Sequence, residues 1–124
     1  MLEFIRTRLR SFRYAGRGIR IVLQTEVNAR LHALATLLVL AAGFYFRIER
    51  GEWLAVALAV AAVWSAEAIN TAFEALCDVA STEFHPQVER AKDVAAGAVL
   101  VSSMGALVVG VIVFGRRVLA LFGA

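Results

Sequence analysis

The chain has one cysteine, Cys77, so no intrachain disulfide can form. Its thiol reads as a small packing group and leaves the redox compartment open. There is one proline, and neither a linker, an internal repeat nor a low-complexity tract interrupts the sequence. The first apolar run starts only at residue 31, after a mixed, arginine-rich segment, so a cleavable signal peptide is not expected. The nucleotide motifs of soluble enzymes are missing. There is no G-x-x-x-x-G-K-[ST], no kinase H-R-D or D-F-G and no G-x-S-x-G, and "GRG" at 16–18 is too short to count. Zinc-finger spacing, an RNA-binding signature and an aromatic–basic patch are also lacking, so no nucleic-acid partner is expected.

What is present is apolar surface. Of 124 residues, 60% are hydrophobic, and the mean hydropathy is +0.73. A single soluble domain of this size has no core large enough to bury that much, and the bilayer is the natural solvent. Three apolar stretches, 31–46, 53–80 and 94–115, approach or exceed the roughly 20 residues that cross a hydrocarbon layer. Backbone in lipid must satisfy its own hydrogen bonds, so these are expected as helices. The expected architecture is an all-α membrane protein forming one domain, 1–124. It has a cytoplasmic or interfacial helix over 1–28 and transmembrane helices at about 29–47, 52–80 and 91–115.

Charge orients the chain. Arg6, Arg8, Arg10, Arg13, Arg17, Arg20 and Arg30 precede the first span, and Arg90 and Lys92 lie between the second and third. Against these nine, the other side has Arg47, Arg50, Arg116 and Arg117. The positive-inside rule therefore places the N-terminus and the loop 81–93 in the cytoplasm. Arg6, Arg10, Arg13, Arg17 and Arg20 share one helical face, with Ile5, Leu9, Phe12, Ile19 and Leu23 opposite. This is the pattern of a helix lying in the membrane interface, with Gly16 and Gly18 as potential breaks. In the third span Ala98, Ser102, Ala106 and Gly110 form a small-residue ridge suited to helix packing.

The second span ends on "EAINTAFEALCD", residues 67–78. At 100° per residue, Glu67, Asn70, Glu74 and Asp78 lie within one narrow face. A carboxylate at bilayer depth costs roughly 2.5–3.5 kcal/mol on insertion scales, so it needs a cation, a proton or a task. Arg30, Arg90 and Lys92 are the nearby cations, and a divalent ion such as Mg²⁺ is a better partner for carboxylate oxygens. A hydrated helix end accounts for Asp78 and in part for Glu74. It accounts poorly for Glu67. Read alone, His85 beside Pro86 is an ordinary loop residue, and Lys92–Asp93 can be capping and snorkelling.

"EAINTAFEALCD" resembles the signature of the small prokaryotic diacylglycerol kinase family, which includes undecaprenol kinases. "SFRYAGRGIR", "TEVNARLH" and "STEFHPQVERAKDVAAGAVLV" occur in that family's order and spacing. The T-E-x-N-x-R-x-H and H-P elements look more like the Gram-positive-type undecaprenol kinases. The resemblance implies a homotrimer in the bacterial inner membrane, with active sites at the cytoplasmic boundary shared between neighbouring subunits. It implies Glu67 as catalytic base, with Glu26 and Glu74 holding Mg²⁺ with ATP. It further implies Tyr14, Glu83, Phe84, His85, Lys92 and Asp93 at the nucleotide, and Asn70 and Asp78 in support. Arg30 and Glu67 are the candidates at the lipid. One departure stands out: the family's nucleotide-contacting arginine falls near Thr7, leaving Arg6 or Arg8 to substitute.

The chemistry suits these residue types. Phosphoryl transfer needs positioning and charge neutralisation. A glutamate at lipid depth can take the proton of a membrane lipid alcohol. The competing reading is a small proton- or cation-coupled transporter, which uses Glu67 and Glu74 but leaves His85 and Lys92–Asp93 idle.

Overall fold

The computed structural model describes residues 1–123, with Leu2 described by its backbone only. It contains four helices: α1 (Leu2–Thr25), α2 (Val27–Tyr45), α3 (Arg50–Ala80) and α4 (Pro86–Leu121). No strand occurs among the described residues. Helices α2, α3 and α4 are each long and apolar enough to cross a membrane. At 1.5 Å per residue, α3 is about 46 Å long and α4 about 54 Å, against a hydrocarbon thickness of about 30 Å. Both overrun the bilayer core, so the polar last third of α3 extends beyond the bilayer centre toward an interface.

The surface is the inverse of a soluble protein's. Leu34, Leu37, Leu38, Leu54, Leu58, Leu100, Leu107 and Val111 are all more than half exposed. Outward leucine of this density has a favourable environment in lipid. Together with the three long apolar helices, it makes the chain a multi-pass membrane protein.

Helices α3 and α4 pack against each other along their length, α2 lies against α3, and α1 touches both α2 and α3. A small core of Ile48, Val56, Val113 and Phe114, supported by Phe46 and Trp53, holds α2, α3 and α4 together near the α2–α3 turn. Gly43 of α2 lies against the Trp53 indole. A Cβ there would approach Cη2 to 2.6 Å, so only glycine fits beside this ring. The turn closes through Arg47 at φ 49°, a left-handed residue. Glu49 and Glu52 then form a reciprocal capping box at the start of α3.

Two ion pairs span the α3–α4 hairpin. Near the α2–α3 turn, Arg117 Nη1 and Nη2 donate to Glu52 Oε1 (2.8 Å) and Oε2 (2.9 Å). At the other end, Lys92 Nζ donates to Asp78 Oδ1 at 2.7 Å.

Two features differ from expectation. Helix α1 runs unbroken through Gly16 and Gly18. Two exposed glycines cost a helix roughly 1 kcal/mol each, less than its remaining turns can absorb. Helix α4 also starts at Pro86, about a turn and a half ahead of Lys92. Proline is preorganised for the first helical position, and His85 caps the end: its Nδ1 accepts from the Gln87 backbone N–H at 3.2 Å.

Candidate functional site

The buried face of α3 carries Val56, Val63, Glu67, Asn70 and Cys77, a single stripe at helical spacing. Polar and apolar residues thus share the side that meets the other helices. Burial falls off along the stripe. Glu67 is 1% exposed and Asn70 8% exposed. Glu74 is half-buried, and the Asp78 side chain is 69% exposed. The hydrated-end reading therefore accounts for Asp78. It does not account for Glu67, the one large side chain among the described residues that is buried almost completely.

The local hydrogen bonds leave capacity unused. Asn70 Nδ2 donates to Glu74 Oε1 at 3.4 Å. Glu67 Oε2 and Asn70 Oδ1 are buried and have no hydrogen-bond partner. Orphaned buried acceptors are costly and rare, and a pair of them on one face marks a place where a donor or a cation belongs.

Glu26 approaches this face from the other side. It is both the C-cap of α1 and the N-cap of α2, with extended backbone (φ −102°, ψ 122°), so the two helices meet at a one-residue elbow. Its N–H donates to the Val22 carbonyl at 2.9 Å. Arg30 fixes the elbow. Its Nε donates to the Leu23 carbonyl at 3.0 Å and its Nη2 to the Gln24 carbonyl at 2.7 Å, satisfying the last carbonyls of α1. The carboxylates whose charge acts on Glu67 are those of Glu26 and Glu74, and the His32 imidazole faces it from α2. Three carboxylates and one imidazole therefore share a neighbourhood.

That neighbourhood suits a hard cation. Among the described residues no three His, Cys, Asp or Glu gather closely enough to hold a metal by themselves. Mg²⁺ does not require this, because it is commonly held by one or two carboxylates together with water and substrate phosphates. An all-oxygen donor set from Glu26 and Glu74, beside the unpartnered Asn70 Oδ1, fits Mg²⁺ in that mode.

The other sequence candidates lie further out. Lys92 is paired with Asp78 rather than with the deeper acids. His85 serves as the cap of α4. Glu83, Phe84 and Asp93 are exposed around the α3–α4 loop. Tyr14 is exposed on α1, with the Arg17 guanidinium 5.9 Å from its ring centre. Arg8 stacks on Phe4 at 4.9 Å. No hydrogen bond or ion pair among the described residues joins Tyr14, Glu83, Phe84 or Asp93 to Glu67. The structure thus gathers Glu26, Glu67, Asn70 and Glu74, with Asp78 and Lys92 one step outward.

Two features were not singled out by sequence. His32 Nε2 lies 3.9 Å from Glu67 Oε2, from the facing helix. A cavity of about 280 Å³ also opens between α2, α3 and α4, lined mainly by aliphatic side chains such as Val39, Val60 and Val63, with His32, Thr36 and Ser103 as its polar residues. A lone histidine on an apolar helix carries no periodic signal. The H of "TEVNARLH" was its only trace.

Comparison with known proteins gives the family of the chain. The family model described as prokaryotic diacylglycerol kinase matches residues 13–114. An undecaprenol kinase of Bacillus subtilis is 38% identical over 105 residues, covering 85% of each chain. A diacylglycerol kinase of Synechocystis is 35% identical over 101 residues, 81% of this chain and 58% of that one. A diacylglycerol kinase of Helicobacter pylori is 28% identical over 109 residues, 88% of this chain and 82% of that one. With the matched region spanning α2, α3 and all but the last turns of α4, the chain belongs to the prokaryotic diacylglycerol kinase family, a family of lipid kinases.

Proposed function

We propose that the chain transfers the γ-phosphoryl group of ATP to the hydroxyl of a membrane lipid alcohol, with Glu67 as general base. The observation that carries this reading is the unpartnered Oε2 of Glu67, buried within a span-length apolar helix beside two further carboxylates. In the proposed step the lipid hydroxyl oxygen forms a bond to the γ-phosphorus. The bond from that phosphorus to the β-bridging oxygen breaks, and ADP leaves. The hydroxyl proton passes to Glu67 Oε2. Catalysis of this kind is mostly positioning and charge neutralisation.

Each element contributes a part. Asn70 donates to Glu74 Oε1 and lies on the same buried face of α3 as the base. Glu26 and Glu74 are the residues that would hold Mg²⁺, which supplies neutralisation of phosphate charge when bound. Lys92, mobile on its stem and held by an exposed acid, can turn from Asp78 to a phosphate oxygen. Tyr14, Glu83, Phe84, His85 and Asp93 line the region where the rest of the nucleotide would lie, with Arg6 or Arg8 supplying an additional cation. Arg30, beside the elbow, is the candidate for guiding the lipid hydroxyl. The amphipathic α1 would lie in the cytoplasmic interface of the bacterial inner membrane, and three copies would complete the site between neighbours. One domain, 1–124, would carry all of this.

Undecaprenol is the favoured acceptor over diacylglycerol, supported by the 38% identity to an undecaprenol kinase and by the T-E-x-N-x-R-x-H element. The transport reading finds no support in the family. Purified protein supplied with labelled ATP, Mg²⁺ and a panel of lipid alcohols should transfer label to the lipid fraction, most to undecaprenol. Absence of label from every alcohol in the panel would remove the kinase reading from this chain.

A further inference from the structure

We infer that His32 is a positioning residue for Glu67, holding its carboxylate in the orientation that receives the lipid proton. The inference rests on the base reading above and goes beyond it.

The geometry is set by a polar anchor between α2 and α3. Trp64 Nε1 donates to Thr36 Oγ1 at 3.1 Å, and Thr36 Oγ1 donates to the His32 carbonyl at 2.7 Å. Thr36 and His32 are one turn apart on α2, and Trp64 and Glu67 one turn apart on α3. Because the two helices run antiparallel, matching Thr36 to Trp64 brings His32 opposite Glu67. The anchor fixes register, and register delivers the imidazole.

His32 Nε2 approaches the same Oε2 that lacks any hydrogen-bond partner. At 3.9 Å the gap to a hydrogen bond is about 1 Å, which a small rotamer adjustment closes. Catalytic hydrogen bonds are often long before substrate binds and tighten in the complex. The charged groups facing Glu67 are Glu26 from the elbow and Glu74 from its own helix, and both repel it. Unlike these two carboxylates, the imidazole can donate to Glu67 and hold it against that repulsion. His32 also lines the apolar cavity, so it stands between the cavity and the base.

The test is a double-mutant cycle in the full chain, with lipid phosphorylation as readout. His32→Leu should lower kcat about tenfold to a hundredfold, the scale of a misplaced catalytic group. KM for ATP should stay within about twofold. His32→Gln, whose amide nitrogen reaches the position of Nε2, should recover most of kcat, whereas His32→Asn, which reaches only the position of Nδ1, should not. In a Glu67→Gln background, His32→Leu should add no further loss, because the group it positions is gone. A merely structural histidine would lower activity by the same factor in both backgrounds. Wild-type kcat in His32→Leu, independent losses in the cycle, or equal values for Gln and Asn would each overturn the inference. If His32→Leu does not assemble, the Gln and Asn variants decide by the same criteria. Full turnover in Glu67→Gln alone would instead overturn the base reading, so the two failures are distinct.

Discussion

Glu67 and Glu74 lie two turns apart on one face, yet they differ in burial, in partner and in assigned task. Glu67 has an oxygen without a partner, while Glu74 accepts from Asn70. Their amide variants should therefore fail differently. Glu67→Gln keeps the shape and loses the acceptor of the proton, so turnover should drop by about 10²–10⁴-fold with nucleotide binding retained. Glu74→Gln removes a negative oxygen from the cation's neighbourhood, so nucleotide binding should weaken as well and the Mg²⁺ requirement should rise. Phosphorylation rates and nucleotide binding measured on both variants in parallel check this, and equal losses of both properties in the two proteins would contradict it. The face itself was legible in the sequence, because 100° per residue is a property of one helix. His32 was not, because its contact with Glu67 depends on how two helices are set against each other. The same holds for the Glu52–Arg117 pair, which joins residues that no local spacing relates.

At the scale of elements, two junctions carry specific predictions. Gly43 leaves room for the Trp53 ring. Gly43→Ala should therefore destabilise the α2–α3 contact by about 1–3 kcal/mol, the range for overpacking, seen as a lower thermal midpoint in detergent. Adding Trp53→Leu should recover part of the loss. The α1–α2 elbow depends on the Arg30 guanidinium, which satisfies two carbonyls of α1. Arg30→Ala should speed amide hydrogen exchange in the last turn of α1 while leaving α3 unchanged, and uniform acceleration across all helices would count against this local role. The helices themselves were readable from their apolar runs. Their ends were less so. Helix α4 reaches back to Pro86 because His85 and Pro86 form a start signal whose effect reaches past the apolar run. Gly16 and Gly18 looked like breaks because glycine propensity is local, whereas α1 is continuous over 24 residues.

For the molecule as a whole, the distribution of arginine makes a topological statement. With nine basic residues on one side and four on the other, position 85 should be cytoplasmic and position 49 outside. Single cysteines placed at these positions in a Cys77→Ala background should label oppositely in intact cells. Strong external labelling at position 85 would contradict the three-span arrangement. The exposed leucines give a second global expectation. Much of that surface meets lipid, and cross-linking in membranes should show whether part of it meets further copies, with a trimer as the expected species.

The two ion pairs of the α3–α4 hairpin have a geometric consequence. Glu52–Arg117 and Asp78–Lys92 are 26 residues apart along α3, about 39 Å of helix. They act as two rivets through a pair of rails. Either rivet alone would still let one rail tilt about it. While both are closed they resist sliding, since a slip by one turn of about 5.4 Å must open the two pairs at once. The hairpin then acts as a gauge, and in the proposed reaction the depth of Glu67 is set by where the gauge sits. In that reaction a substrate would bring its hydroxyl to that depth, because the gauge does not rise to meet it.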